Sequence, residues 1–214
     1  VIGADTNSRV VDPEDIKTWP LFGDGAGAVL LEATEQAPLG REQGLLSFAL
    51  GSDGRGAGLL ACPMSGSRQP VTAEGFARRQ QFMKMDGRAV FKWAIRLAEE
   101  NIMAVVARAG LSLDQIDLFV LHQANARILE GIRTALGVPA EKMFMNLDRF
   151  GNTSSGSIPL ALDEAWRLGR IGSESTVVIC GFGGGLAWGT AVWRLWGERE
   201  WLKLMSRPCP HGRM

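Results

Sequence analysis

The chain has 214 residues, of which 46% are hydrophobic and 21% are charged, and its 23 basic residues balance its 23 acidic ones. These values are typical of a soluble globular protein with one large or two small domains, and they argue against bulk binding to nucleic acid or to a membrane. Three dispersed cysteines and two histidines exclude a disulfide framework and disfavour a metal site.

The chain opens on an apolar segment, residues 1–4, which predicts the end of a buried strand and lacks the features of a signal peptide. We therefore expect the chain to begin inside a fold, with a further segment before it. Residues 23–28 then follow the pattern Gly-x-Gly-x-x-Ala, which is also found in dinucleotide-binding proteins. That fingerprint requires a helix next, whereas residues 29–31 predict a strand. We interpret the glycines as allowing close packing at a turn before this strand.

The middle of the chain alternates a strand, a long loop and a helix. Residues 45–50 predict a strand, and the Gly-, Ser- and Pro-rich residues 51–75 predict a long loop. Cys62 lies in that loop, where we interpret it as an incidental cysteine. Apolar residues at helical spacing predict a helix over 86–109, which Gly110 ends.

From residue 116 onward strands and helices alternate, and the last two strands are separated only by a glycine loop. This order predicts an α/β fold in which helices cover a sheet, with the final pair of strands antiparallel. The predicted elements are strand 116–121, helix 123–136, strand 143–147, helix 157–168, strand 176–180, loop 181–185 and strand 187–195.

Two polar residues each lie between a predicted strand and a predicted helix. His122 ends one apolar strand, and Asn152 lies in a glycine-flanked turn after the next. Strand ends carry the chemistry of α/β proteins, so both side chains can face one pocket. We expect the N-terminus of the following helix to keep His122 neutral. A neutral imidazole and an amide can then both donate hydrogen bonds to a developing oxyanion.

The residues alone leave other interpretations open. His122 could be a half-buried structural histidine, and Asn152 could be a turn residue. No serine near Asn152 has a base beside it in sequence, and no segment has the pattern of a nucleophile elbow. The residues therefore predict an oxyanion-type site without showing its nucleophile.

Four motifs resemble a known family. The chain carries FGDGAGA at 22–28, HQANAR at 122–127, GNTSSGSIP at 151–159 and GFGGGLAWG at 181–189. In this order and at this spacing they resemble β-ketoacyl-acyl-carrier-protein synthase III, a condensing enzyme with the layered thiolase fold. The resemblance extends from residue 1 to about residue 196.

The resemblance implies a Cys-His-Asn catalytic set. A cysteine accepts an acyl group from acyl-CoA, while His122 and Asn152 promote decarboxylation of malonyl-acyl-carrier protein and stabilise the enolate. The product is a β-ketoacyl carrier, which initiates fatty acid synthesis. The resemblance also implies an acyltransferase that uses no cofactor and no metal, works in the cytoplasm, and forms a homodimer.

The resemblance assigns further residues to binding. It implies that a segment around Arg127 contacts the carrier protein and the pantetheine arm, and that a glycine-rich loop borders the active site. The binding residues are Gln123, Ala124, Asn125, Ala126, Arg127 and Phe91, and the loop residues are Phe182, Gly183, Gly184 and Gly185.

The chain also departs from the family pattern. The family's nucleophilic cysteine belongs to the N-terminal half, before the residues that match Val1, so we expect neither Cys62 nor Cys180 to replace it. Arg88 stands where the family often has asparagine near the tunnel. Residues 12–17 lack an arginine that some members use to bind CoA.

We expect three regions. Residues 1–43 are the last strands of a truncated N-terminal thiolase-like half, residues 44–196 are the complete C-terminal half, and residues 197–214 are an extra tail. Such a chain is expected to be inactive alone. Two alternatives remain: a chalcone-synthase-like condensing enzyme, which usually has proline in the glycine loop, and a non-catalytic half that binds a carrier or a partner subunit.

Overall fold

A computed structural model describes residues 1–31, 33 and 43–195, so the expected tail over 197–214 lies outside the described residues. The strands are β1 (Ile2–Asp5), β2 (Gly25–Ala28), β3 (Gly44–Ser52), β4 (Leu60–Ala61), β5 (Lys84–Met85), β6 (Leu118–Leu121), β7 (Thr176–Gly183) and β8 (Ala187–Arg194). The helices are α1 (Ala73–Ala77), α2 (Gly87–Arg108), α3 (Ala126–Leu136), α4 (Leu147–Phe150) and α5 (Ser157–Arg167).

The main sheet has four strands in the order β3-β8-β7-β6. Strands β6 and β7 are parallel, whereas β8 is antiparallel to both β7 and β3. Two small antiparallel pairs, β1-β2 and β4-β5, lie outside it. The predicted α/β class and the predicted antiparallel pairing of the last two strands are both confirmed.

Helices cover the sheet on both faces at β6. Phe119 and Leu121 belong to the core cluster that includes α2 and α3, and Leu118 and Val120 belong to the cluster that includes α5. All four residues of β6 are therefore buried, as expected for a parallel strand covered on both faces. Among the described residues, no helix has the length and apolar character that crossing a membrane requires.

Strand β3 forms an edge of the main sheet and leaves apolar side chains exposed. Phe48 is 53% exposed and Leu50 is 77% exposed. Arg108 of α2 donates a hydrogen bond to the carbonyl oxygen of Phe48 at 2.7 Å. Strand β8 pairs with the other side of β3, so only one side of β3 is an edge of the main sheet.

The strand predicted over 29–31 is wrong, because the preceding glycines themselves form β2. A Cβ atom at Gly25 would lie 2.7 Å from Cγ2 of Thr153, and one at Gly27 would lie 2.8 Å from Cβ of Pro159. The glycines therefore let β2 pack directly against the start of α5. The prediction of close packing is confirmed, but the packing occurs within the strand and not at a turn before it.

Two predicted boundaries also differ. Residues 143–147 form only one bridge to the sheet, between Met143 and Phe119, before α4 begins. The helix predicted from residue 123 begins at Ala126, because the side chain of Asn125 accepts a hydrogen bond from the backbone of Ile128 at 2.9 Å and caps the helix.

The prediction for the long central helix is accurate to one residue at each end. Helix α2 spans 87–108, and the side chain of Asp86 caps it through the backbone N–H of Ala89. Gly110 follows with φ of +70°, a backbone conformation that suits glycine at a helix end. The region predicted as a loop over 51–75 contains the short strand β4 and the beginning of α1.

Candidate active site

His122 directly follows β6, and its backbone N–H donates a hydrogen bond to the carbonyl oxygen of Cys180 at 2.8 Å. The ring of Phe182 lies edge-on to the imidazole, with 5.3 Å between the two centroids. Burial lowers the pKa of His122 from 6.5 to about 4. The imidazole is therefore neutral at pH 7, as the sequence predicted.

The cause of this neutrality differs from the expected one. Helix α3 begins at Ala126, four residues after His122, so the imidazole does not lie in the first turn of that helix. The effect of a helix dipole decays within about one turn. Loss of solvation in the enclosed site is the larger cause of the lowered pKa.

Asn152 is held by the N-terminal segment of the chain. Its backbone N–H donates to the carbonyl oxygen of Leu21, and its own carbonyl oxygen accepts from the backbone N–H of Gly23, both at 2.9 Å. Asn152 also forms a parallel bridge with Phe22. The sequence predicted that Asn152 lies in a turn after a strand over 143–147, whereas the element that precedes this turn is the short helix α4.

The orientation of the Asn152 amide follows from one hydrogen bond. Its Oδ1 accepts from the backbone N–H of Ser154 at 2.9 Å. Its Nδ2 makes no hydrogen bond to any residue that the structure describes, although Asn152 is only 7% exposed. A nearly buried amide with its acceptor occupied and its donor free is suited to binding a carbonyl or enolate oxygen.

A chain of hydrogen bonds joins the two candidate residues. From Asn152 it passes to Ser154, whose carbonyl oxygen accepts from Oγ of Ser157 at 2.8 Å. The same Oγ lies 2.8 Å from Nδ1 of His122. The structure therefore links His122 and Asn152 through two serines to which the sequence analysis assigned no role.

Asn7 is another residue that the sequence analysis missed. Its Nδ2 donates to the carbonyl oxygen of Gly23 at 2.8 Å and to that of Asn152 at 3.3 Å, and its Oδ1 accepts from Oγ of Ser154 at 3.0 Å. Asn7 is only 3% exposed. An asparagine soon after a short strand has no pattern that distinguishes it from a turn residue, because two of its three partners, Asn152 and Ser154, are more than 140 residues away.

The predicted active-site loop is partly strand. Phe182 and Gly183 belong to β7, and only Gly184 and Gly185 lie in the turn before β8. Pairing with Trp188 and Ala187 of β8 extends the strand through both residues. Because this strand pairing holds Phe182, its ring has a fixed position against the imidazole of His122.

The segment 123–127 divides into buried and exposed parts. Gln123 is 1% exposed, and its side chain bonds the backbone of Leu121, Phe144 and Asn146. Because these polar atoms are occupied inside the protein, we propose no contact between the Gln123 side chain and a carrier. The Asn125 side chain caps α3, and Ala124 packs against the core. These contacts leave Ala126 and Arg127 exposed to solvent.

Phe91 and Arg88 both lie on α2. Phe91 is partly buried against the core cluster that also includes Phe182. Arg88 is exposed and lines a groove together with Lys17 and Met85. Asp86 also lines this groove, which thus carries two basic side chains and one acidic side chain beside the first turn of α2.

Neither described cysteine has the character of a nucleophile. Cys180 is buried in the core, where burial raises the pKa of its thiol to about 11. Partial burial also raises the pKa of Cys62. Because the thiolate is the reactive form, both thiols are poorly activated. Within the described ranges, no group of three or more His, Cys, Asp or Glu residues could hold a metal ion.

Solved structures superpose on this mixed sheet and its covering helices, and they identify the chain as a thiolase-like α/β protein. The 3-oxoacyl-(acyl carrier protein) synthase III from Pseudomonas aeruginosa PAO1 is 38% identical, with a TM-score of 0.79 over 92% of this chain and 57% of its own. The synthase III from Thermus thermophilus is 40% identical, with a TM-score of 0.78 over 92% and 59%.

Sequence comparison identifies the family. The family model for 3-oxoacyl-[acyl-carrier-protein] synthase III matches residues 1–54, and that for its C-terminal region matches residues 106–195. The β-ketoacyl-[acyl-carrier-protein] synthase III of Rhodopirellula baltica is 50% identical over 91% of this chain. The chain therefore belongs to the 3-oxoacyl-[acyl-carrier-protein] synthase III family. It spans 60% of the length of that relative and 58% of one from Desulfitobacterium hafniense.

Proposed function

We propose that this chain carries the decarboxylation and enolate-binding residues of a β-ketoacyl-acyl-carrier-protein synthase III. The overall reaction condenses acyl-CoA with malonyl-acyl-carrier protein and initiates fatty acid synthesis. The observation that carries the proposal is the hydrogen-bonded chain from Asn152 to His122, which ends in a free amide donor and a neutral imidazole.

The proposed step conserves atoms and electrons. The malonyl thioester loses CO₂, and the electron pair of the broken C–C bond moves into an enolate whose oxygen accepts hydrogen bonds from His122 and Asn152. The enolate carbon then attacks an acyl thioester on a cysteine, a new C–C bond forms, and the thiolate leaves. Each donor stabilises charge that develops only during the reaction, which is where stabilisation accelerates it.

Our proposal does not assign the acyl-bearing role to either described cysteine. The high pKa of the Cys180 thiol and its place in the core do not fit a nucleophile that reacts at neutral pH. Cys62 is exposed directly after β4, and partial burial raises the pKa of its thiol. Our proposal therefore assigns to this chain the decarboxylating residues and assigns the nucleophilic role to neither thiol.

We also propose a binding role for the beginning of α3. Arg127 is exposed and makes no ion pair with another described residue, so its charge is available to an acidic carrier protein or a phosphate. Ala124 and Asn125 directly precede α3, and Ala126 is its first residue. Phe91 lies on α2, which packs against α3. They are proposed to border the path of the pantetheine arm.

The arrangement of the whole enzyme is part of the same proposal. We propose that residues 1–43 are the last strands of an N-terminal thiolase-like half and that residues 44–196 are the C-terminal half. The separate β1-β2 sheet supports this division. We further propose a cytoplasmic homodimer that requires no cofactor besides its acyl-CoA and malonyl-carrier substrates.

Malonyl decarboxylation by the 214-residue chain tests the proposal without requiring a nucleophile. The purified chain is incubated with malonyl-carrier protein, and conversion of the malonyl to the acetyl thioester is followed by mass spectrometry. The chain alone is expected to be inactive in the complete condensation, which needs a nucleophilic cysteine, but decarboxylation does not need one. We therefore expect malonyl turnover by the parent chain and a loss on the order of 10²-fold in His122→Ala or Asn152→Ala. Arg167→Ala, an exposed substitution on α5, serves as the control and is expected to retain the parent rate.

Two outcomes would contradict this function. Equal decarboxylation by the parent chain and by both variants would remove the proposed roles of His122 and Asn152. A folded chain that binds carrier protein but does not decarboxylate malonyl would instead support a non-catalytic half that binds a carrier or a partner subunit. The exposed apolar side chains of β3 are the observation that favours this second function.

A further inference from the structure

Ser157 contacts both His122 and Ser154 in the candidate site, and the proposed function does not assign its hydroxyl a role. It is the first residue of α5 and is 2% exposed. Its Oγ lies 2.8 Å from Nδ1 of His122, 2.8 Å from the carbonyl oxygen of Ser154 and 3.4 Å from the backbone nitrogen of Gln123. The hydroxyl therefore contacts an imidazole, a carbonyl oxygen and an N–H group.

This hydroxyl has one proton and two possible acceptors. It can donate to the carbonyl oxygen of Ser154, in which case Nδ1 of His122 must carry a proton and donate to Oγ. Alternatively, it can donate to an unprotonated Nδ1, in which case the single proton of the neutral imidazole is on Nε2. The backbone N–H of Gln123 can donate to a lone pair of Oγ in both arrangements.

The two arrangements differ in what His122 offers a substrate. With the proton on Nδ1, Nε2 is an acceptor and would repel an enolate oxygen. With the proton on Nε2, the ring donates a hydrogen bond and stabilises that oxygen. The function proposed above requires the second arrangement.

In the second arrangement, each polar group that contacts Oγ of Ser157 keeps a hydrogen-bond partner. When the hydroxyl donates to Nδ1, the carbonyl oxygen of Ser154 still accepts a hydrogen bond from the backbone N–H of Ser157. No heavy atom has to move, since Oγ already lies at 2.8 Å from both acceptors. The donor tautomer therefore avoids the free-energy cost of an unpaired buried carbonyl.

We propose that Ser157 is a positioning residue whose hydroxyl donates to Nδ1 of His122 and thereby holds the imidazole proton on Nε2. This inference rests on the proposed function, because it explains how a neutral histidine becomes a hydrogen-bond donor. Without the hydroxyl, the carbonyl oxygen of Ser154 still lies beside the ring, and it favours a proton on the nitrogen that faces it.

The tautomer of His122 can be measured directly by ¹⁵N NMR in the 214-residue chain at pH 7. A His211→Ala background leaves one imidazole to assign. We expect the proton on Nε2 in the parent chain, a shift of the proton to Nδ1 in Ser157→Ala, and recovery of Nε2 protonation in Ser157→Thr. A proton on Nδ1 in the parent chain would overturn the inference whether or not the variants fold.

Decarboxylation rates separate this inference from the proposed function. We expect Ser157→Ala to lower kcat by about 10²-fold, the loss of one oxyanion donor, while KM for malonyl-carrier protein is unchanged. A rate that depends on His122 but not on Ser157 would refute the positioning role alone. A tautomer shift in Ser157→Ala together with no dependence of the rate on His122 would refute the proposed function and leave the tautomer control standing.

Discussion

The two sides of the candidate site are held in different ways. His122 follows β6, whose four residues are buried within the main sheet, so its position depends on the core of residues 43–195. Asn152 depends instead on residues 7 and 21–23, which are far away in sequence and outside that sheet. The position of His122 is therefore as stable as the core. The position of Asn152 is only as stable as the contact that residues 7 and 21–23 make with it.

Because of this difference, the properties of His122 and Asn152 depend on different contacts. The environment of His122 is set by burial, and its pKa reports that burial. The amide of Asn152 is oriented by Ser154, which in turn bonds Asn7. Substitutions in the N-terminal segment should therefore disturb the asparagine and leave the histidine largely unaffected.

The largest effect is expected from Gly23→Ala. A Cβ atom at this position would overlap the carbonyl oxygen of Phe150, so the N-terminal segment must move away from Asn152. We expect a loss of about 1–3 kcal/mol in the free energy of unfolding, measured by urea denaturation, and loss of malonyl decarboxylation. Gly54→Ala is the matched control, because nothing lies within 4 Å of its added Cβ atom. Equal stability of both variants would show that the contact is not tightly packed.

Asn7→Ala should have a more selective effect. The substitution removes the hydrogen bonds to Gly23, Asn152 and Ser154, and the free energy of unfolding should fall by about 1–3 kcal/mol. We expect slower decarboxylation with no change in the pKa of His122, measured by NMR titration. A shifted His122 pKa would show that the two sides of the site are coupled more strongly than the contacts indicate.

The pH dependence of stability should report the histidine side. The pKa of His122 is lowered to about 4 in the folded state from an ordinary value of 6.5, so the unfolded chain binds the proton more readily. This contribution to stability is complete above pH 6.5 and is lost as the pH falls toward 4. Denaturation between pH 7 and 5 should therefore show a steeper decline in the parent chain than in His122→Gln. Parallel curves would contradict the burial of a neutral imidazole.

The smallest effect is expected from Arg127→Glu. Arg127 is exposed near the histidine side of the site and makes no ion pair with another described residue, so reversing its charge should not alter stability. We expect about tenfold weaker binding of acidic carrier protein at low salt, measured by surface plasmon resonance. Arg167→Glu on α5 reverses the charge elsewhere and should bind normally. Equal weakening by both variants would indicate a general charge effect.

Local patterns predicted the elements that depend on local interactions. Helix α2 was predicted to within one residue because its apolar spacing, its Asp86 cap and the terminal Gly110 all lie within the segment. The predictions were wrong where contacts with residues distant in sequence determine the local structure. The glycines of β2 look like a turn in sequence, and only the approach of Pro159 and Thr153 explains why they form a strand.

The candidate site shows the same division. The sequence by itself determined the family resemblance, the neutral histidine at the end of a buried strand and its pairing with Asn152, because these follow from motifs and from strand ends. Only the tertiary structure decided that burial keeps His122 neutral, that Gln123 is an internal hydrogen-bonding residue, and that Ser157 and Asn7 support the site. These roles depend on hydrogen bonds between segments that fold together from distant parts of the chain, and no local pattern encodes them.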